Sequence, residues 1–265
     1  QKNAFSGIAD VHFFASTNDF KQNFYALHFN NETILLKGAR VFEFEQLSHL
    51  LEQKVHQTIL EINLNAIAHN LKIYKQQLTP GVKLMAMVKA FSYGSGGFEI
   101  ANLLQFHKVD YLAVAYADEG VELRKAGITL PIMVMNVEDA TFDVLVQHNL
   151  EPELFSFELF DTFDNYLQQG GITNFPVHIK IDTGMKRLGF ELYEIETLCT
   201  KIKETTSFKI QSVFSHLAAS DAAEHDDFTQ QQATIFNEAC AQLQHVISYS
   251  FIKHIANTSA IHRHN

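Results

Sequence analysis

Apolar residues along this chain fall into short dense runs, separated by stretches in which they recur every three or four positions. The first pattern suits strands buried on both faces, and the second suits amphipathic helices. From residue 83 onward the two alternate regularly. Strands are predicted at 83–88, 111–115, 132–135, 152–155, 177–181, 212–215 and 251–256. Helices fill the gaps, for example at 118–126, 158–167 and 228–246. Parallel strands joined by crossover helices produce this rhythm. A doubly wound sheet and a closed barrel both satisfy it. Polar residues end nearly every strand, which favours a barrel, because barrel chemistry collects at C-terminal strand ends. The strands number roughly seven, one short of the eight that closure needs.

Residues 1–55 have a different texture, rich in Phe, Asn and Asp. Strands are expected at 8–14 and 33–40, with a short amphipathic helix at 44–52, as in the last units of an α/β sheet. A new segment starts near His56. Residues 59–64 alternate like a strand, Asn65 is placed to cap a helix running through Leu71 to about residue 77, and Pro80-Gly81 breaks it. The chain begins at Gln1 and closes on Ile261-His262-Arg263-His264-Asn265, neither a helix end nor a tail. It is therefore read as a fragment of something longer, with its barrel cut before the last strand.

Composition narrows the function classes. Hydrophobic residues make up 46%, enough for a sizeable core and against disorder. A formal net charge of -10 argues against nucleic acid as a partner, since phosphate needs a basic face. No run is apolar enough to span a membrane and no signal peptide is visible. The two cysteines, Cys199 and Cys240, have no metal-type spacing and suit a reducing, cytoplasmic setting. The 14 histidines are scattered, so no metal site is expected.

Chemistry-bearing residues sit at four strand ends. Lys89 closes the run Leu84-Met85-Ala86-Met87-Val88 and opens a loop with Tyr93, Gly94, Gly96 and Gly97. An amine there is placed to form a Schiff base with a carbonyl cofactor, although a single lysine at a strand end is more often merely solvated. Lys180 alternates with apolar residues in Val177-His178-Ile179-Lys180-Ile181 and so points to the strand's interior face. A buried ammonium must pair with a carboxylate or be modified to lose its charge. Arg187 follows, as an oxyanion holder or a surface arginine. His216 ends the next strand, to pack on an aromatic cofactor or simply to fill the core. Asn257, Thr258 and Ser259 follow the last, as phosphate donors or as the cap of the next helix.

Met87-Val88-Lys89-Ala90 through Tyr93-Gly94, Lys180-Ile181-Asp182-Thr183-Gly184-Met185 through Arg187-Leu188-Gly189, Ser215-His216-Leu217-Ala218 and Ala256-Asn257-Thr258-Ser259-Ala260 together resemble the motifs of bacterial alanine racemase. Leu123-Arg124-Lys125-Ala126-Gly127 is similar to that family's third barrel helix. The resemblance runs from about Thr58 to the end. It implies a (β/α)8 TIM-type barrel that binds pyridoxal 5'-phosphate, spanning 56–265, with a C-terminal β domain lying beyond. It implies that Lys89 carries the cofactor and serves as the base on the D-alanine side. Tyr93 would contact the phosphate, Thr258 would replace the usual phosphate-binding serine, and Asn257 would join that network. His216 would lie against the pyridine ring. Lys180 would be carbamylated and position Arg187, which reaches the cofactor's phenolic oxygen. The second base would be a tyrosine from the partner subunit of a homodimer.

Phe91-Ser92 stands where the family usually has Asn-Ala, and Ser95 where a histidine is common. Residues 1–55, chiefly Leu35-Leu36-Lys37-Gly38-Ala39-Arg40, resemble the C-terminal end of the α/β ligase that adds D-alanyl-D-alanine to a UDP-N-acetylmuramoyl-tripeptide. The expectation is a bifunctional enzyme of peptidoglycan synthesis that makes and uses D-alanine, with little turnover by this stretch alone. Two alternatives stand beside it: a non-catalytic barrel that carries pyridoxal phosphate, and a protein whose function lies in the ligase part.

Overall fold

The computed structural model describes residues 11–29, 32–51 and 60–264, and the chain divides into two units, Gln1–Glu61 and Ile62–Asn265. In the first unit, helix Thr17–Asn23 starts at Ser16, whose hydroxyl accepts from the Asp19 amide at 3.1 Å. A second helix, Glu45–Leu51, matches the amphipathic stretch expected at 44–52, whose last residue lies outside the described residues.

The strands expected in this unit are not found. Residues 33–39 are irregular and residues 40–42 form a 3-10 turn. Leu35 is 85% exposed, so the apolar run has no ladder partner and no core face. High strand propensity without a neighbouring strand leaves backbone groups unpaired, and that outweighs the local pattern. Residues 11–14 are likewise not a strand, and 8–10 lie outside the described residues.

The second unit opens with helix Leu64–Gln77. Asn63, not Asn65, caps it, its side-chain oxygen accepting from the Ala66 amide at 3.0 Å. The strand expected at 59–64 is absent over 60–63, Asn63 being the helix cap and Leu64 the first residue of the helix; residue 59 lies outside the described residues. Then come β1 (Met85–Met87), β2 (Tyr111–Val114), β3 (Ile132–Val134), β4 (Glu151–Leu154), β5 (Phe175–Lys180), β6 (Phe208–Phe214) and β7 (Ile252–His254). Each pairs in parallel with the next, in the order β1-β2-β3-β4-β5-β6-β7. Helices cover the outer face, including Ala117–Lys125, Phe157–Gln169 and Asp226–Val246. The sheet curls as a barrel does. Helix Thr258–Arg263, after β7, packs against Leu64–Gln77, before β1.

Two apolar layers result. A large outer core joins the helices to residues such as Leu112, Ile132, Leu154, Ile179 and Val213. A small inner cluster holds Ala113, Met133 and Phe214, with Met85, Met87 and Met135 around it. Period-two alternation decides which residue faces which layer. Arg124 fixes the rim opposite the strand C-termini, donating to the carbonyls of Ile128, Leu130, His148 and Asn149 at 2.7–3.0 Å.

Candidate functional site

The concave face of the sheet encloses a cavity of about 910 Å³. Lys89, Tyr93, Lys180, Arg187, His216, Asn257 and Thr258 all line it, whereas Ser259 and the glycines Gly94, Gly96 and Gly97 are not among its lining residues.

Lys89 follows β1, whose end is held by the Val88 amide donating to Ala113 O at 2.8 Å. Ala90, Phe91, Ser92 and Tyr93 then take φ values of 51, 52, 54 and 58°, a left-handed turn that ends at Gly94. L-residues pay roughly 1–2 kcal/mol each for that hand. Glu119 pins the turn: its Oε1 accepts from the Ala90 amide at 2.6 Å, while Oε2 accepts from Ala115 N (2.7 Å) and Tyr116 N (3.2 Å). The turn brings the Tyr93 ring back beneath the Lys89 ammonium, 6.0 Å from it. Tyr93 itself remains largely exposed.

The stretch after β5 is a clamped loop. Asp182 Oδ1 accepts from the amides of Gly184 (2.8 Å) and Lys186 (3.1 Å). The Phe190 amide donates to Lys180 O and the Asp182 amide to Phe190 O, both at 2.9 Å. Gly189 sits between them with φ +127°. A Cβ there would come within 2.6 Å of Asp182 N, so only glycine closes the loop without strain. The fully buried Gln232 ties this loop to the next strand end: Nε2 donates to Thr183 Oγ1 and to His216 O at 3.1 Å, and Oε1 accepts from Ala218 N at 3.0 Å. Arg187 is exposed at the cavity mouth.

Partial burial, then the charges of Arg187, Lys180 and Lys89, push the His216 imidazole below its ordinary pKa, so it is held neutral near pH 7. Asn257, rather than Thr258 or Ser259, caps helix Thr258–Arg263, its Oδ1 accepting from Ala260 N (3.0 Å) and from Ser220 Oγ (2.8 Å). The Thr258 hydroxyl is therefore left free of the capping task.

Residues 62–265 match the family described as alanine racemase, N-terminal domain. The chain belongs to that family. It is 33% identical over 208 residues to an alanine racemase of Geobacter sp. (strain M21), covering 77% of this chain and 55% of that protein. It resembles the structure of a Clostridium difficile 630 alanine racemase in complex with cycloserine at a TM-score of 0.71 and 32% identity, covering 76% of this chain and 55% of that one. It also resembles the alanine racemase from Bartonella henselae with covalently bound pyridoxal phosphate, at a TM-score of 0.66 and 26% identity over 76% of this chain and 56% of that one. The chain thus spans about half the length of the relatives it matches.

The barrel also holds buried polar groups that the sequence motifs leave out. Lys180 Nζ lies 3.2 Å from Glu153 Oε1 on β4, with side-chain exposures of 4% and 0%. Glu153 is thus within reach as a carboxylate partner for the buried amine. Deeper in the interior, His178 Nε2 lies 3.0 Å from Glu151 Oε2, and His178 Nδ1 lies 2.7 Å from Ser212 Oγ. Ser212 Oγ in turn meets His254 Nε2 at 3.0 Å. One proton assignment satisfies the chain: His254 donates to Ser212, Ser212 to His178, and His178 to Glu151. Burial, then Glu151, raises the Tyr111 phenol well above its usual value. The available signal was alternation: Glu151 and Glu153 on β4 are spaced like His178 and Lys180 on β5, and Glu153 is paired in register with His178.

Among the described residues no group of three or more His, Cys, Asp or Glu side chains is arranged to hold a metal, and no helix is long and apolar enough to cross a membrane.

Proposed function

We propose that the protein carrying this chain interconverts L-alanine and D-alanine with pyridoxal 5'-phosphate, and that this chain supplies the cofactor-binding barrel. One observation carries the reading: four separate strand ends deliver an amine, a phenol, a guanidinium, an imidazole, an amide and a hydroxyl to one cavity. That donor set fits the cofactor. The amine suits an aldehyde, Tyr93, Asn257 and Thr258 suit a phosphate, and a neutral imidazole suits the face of a heteroaromatic ring. A cavity of about 910 Å³ also suits a small ligand.

In this reading Lys89 Nζ is the attachment point. Its amine would also be placed to accept or return the α-proton on one face of the substrate. Pyridoxal phosphate, when bound, supplies the electron sink that makes that proton removable. Arg187 lines the same cavity and would hold the cofactor's oxygen with a fixed positive charge. His216 would lie against the ring, and the burial and neighbouring cations that lower its pKa would keep it from competing for a proton. Racemisation needs a second base on the opposite face, which we assign to a partner subunit in a homodimer.

Racemisation of L-alanine by the full-length protein tests this. Lys89→Ala is expected to abolish it, and borohydride reduction followed by peptide mapping is expected to label Lys89. A label on any other residue, or normal turnover by the alanine variant, refutes the assignment.

We also propose that residues 1–55 derive from the D-alanyl-D-alanine-adding ligase, placing supply and use of D-alanine for peptidoglycan in one cytoplasmic polypeptide. The Leu35–Arg40 run supports this, while the two helices described in Gln1–Glu61 supply none of the expected strands. ATP-dependent ligation by the full-length protein is the measurement that decides it.

A further inference from the structure

The segment that carries His216 runs past the end of its sheet. The ladder of β6 with β5 ends where the Ile181 amide donates to Phe214 O at 2.8 Å, and that with β7 ends where the Ser215 amide donates to His254 O at 3.2 Å. Among the described residues no backbone hydrogen bond holds 216–218. Two side-chain carboxamides take over. Asn257 Nδ2 donates to Leu217 O at 3.3 Å. Gln232, on helix Asp226–Val246, donates from Nε2 to His216 O at 3.1 Å and accepts the Ala218 amide on Oε1 at 3.0 Å. The carbonyl of one residue and the amide two positions on are the pair that a parallel neighbour uses. Neither can be satisfied by a flipped amide, since one group only accepts and the other only donates. The second Nε2 hydrogen goes to Thr183 Oγ1 at 3.1 Å. Thr183 is buried, so its own proton is directed to Ser215 Oγ, 2.8 Å away. Gln232 is 0% exposed and does not line the cavity.

We propose that Gln232 is a positioning residue: its carboxamide stands in for a strand residue beside β6, sets His216 at the cavity wall, and ties it to the loop that carries Arg187. The inference rests on the racemase reading for what His216 and Arg187 touch, and on geometry alone for the tie. Three hydrogen bonds from one rigid amide fix the main chain on both sides of Leu217, so the His216 ring has little freedom to swing. The depressed pKa of that ring needs the same restraint, because burial and then Arg187, Lys180 and Lys89 act on it only while it stays in place. Helix Asp226–Val246 thereby reaches the reacting centre through a residue that touches neither cofactor nor substrate.

The test is Gln232→Met in the full-length protein, which keeps the length of the side chain and removes all three hydrogen bonds. Without cofactor, the Ala218 amide is expected to exchange its hydrogen about tenfold faster, the scale of one lost hydrogen bond. Pyridoxal phosphate is expected to bind about tenfold more weakly, with a shifted absorption band, and kcat for alanine is expected to fall by more than KM rises. Phe236→Leu is the control. It lowers stability from the same face of the same helix, where Phe236 is buried, and touches none of these bonds. Its Ala218 exchange and cofactor binding are expected to match the unsubstituted protein. A folded Gln232→Met protein with unchanged exchange or unchanged cofactor binding overturns the proposal, and so does a Phe236→Leu protein that shows the same changes. If Gln232→Met does not fold, Gln232→Glu decides. It keeps the acceptor for Ala218 but offers at most one hydrogen to two acceptors, so binding about threefold weaker is expected with Ala218 still protected. Undiminished binding by that variant overturns the proposal. An unsubstituted protein that takes up no pyridoxal phosphate would defeat the functional reading, while Ala218 exchange would still judge the tie.

Discussion

The Glu119 carboxylate accepts the Ala90 amide at 2.6 Å, joining the residue after Lys89 to the helix that follows β2. Its other oxygen takes the amides of Ala115 and Tyr116. One side chain therefore satisfies three backbone donors from two strand ends. It also fixes the start of a left-handed turn that the local sequence would not adopt alone.

Glu119→Ala leaves those donors to water and frees the turn. Because Glu119 is only partly buried, the expected loss of stability is about 1–2 kcal/mol by urea denaturation. The larger effect falls on Lys89: reduction with borohydride is expected to trap less cofactor on it. Unchanged trapping would show that the turn holds its shape without Glu119.

Gly189→Ala tests the loop that carries Arg187. The new Cβ meets Asp182 N at 2.6 Å and Ile181 C at 2.8 Å, both backbone atoms that cannot step aside. With φ at +127°, an alanine is strained whatever the space. A loss of about 2–3 kcal/mol is expected, together with a raised KM for alanine in the full-length protein. Wild-type stability would contradict the close approach.

His254 gives an acid limb to stability. Burial, then the neighbouring His178, depresses its pKa to about 3. An unfolded chain takes up that proton near pH 6.5. The group therefore contributes stability that is complete above 6.5 and is lost as pH falls toward 3. Its slope approaches about 1.4 kcal/mol per pH unit at most, and the partial exposure of the ring to the cavity lowers that ceiling. His254→Asn is expected to flatten the unfolding free energy between pH 6.5 and 3 relative to the unsubstituted protein. Parallel curves would sink this assignment.

His178→Leu breaks the deeper polar chain in its middle. Glu151 loses its imidazole partner, and Ser212 keeps only His254. Stranding a mostly buried carboxylate is expected to cost about 3 kcal/mol in chemical denaturation. Tyr111→Phe, which removes one neighbour of the same carboxylate, is expected to cost about 1 kcal/mol. Equal costs would mean that the network is not centred on His178.

Legibility differed between the two ends of the chain for a physical reason. The runs at 111–115 and 132–135 became strands β2 and β3 because both of their faces are covered. The run at 33–39 is mostly exposed and pairs with no strand among the described residues, so it is not one. The cap moved from Asn65 to Asn63 because either asparagine satisfies the same local rule and helix phase chooses between them.

The sequence by itself determined the alternation of strands and helices and the placing of Lys89, Arg187, His216, Asn257 and Thr258 at strand ends, because periodicity and strand termination are local properties. It also required that Lys180 find a counter-charge or lose its own. Only the tertiary structure decided that Glu153 faces it. That choice depends on the register of β4 against β5 and on the curl that turns alternate side chains of both strands into one interior, and neither is written in any single segment.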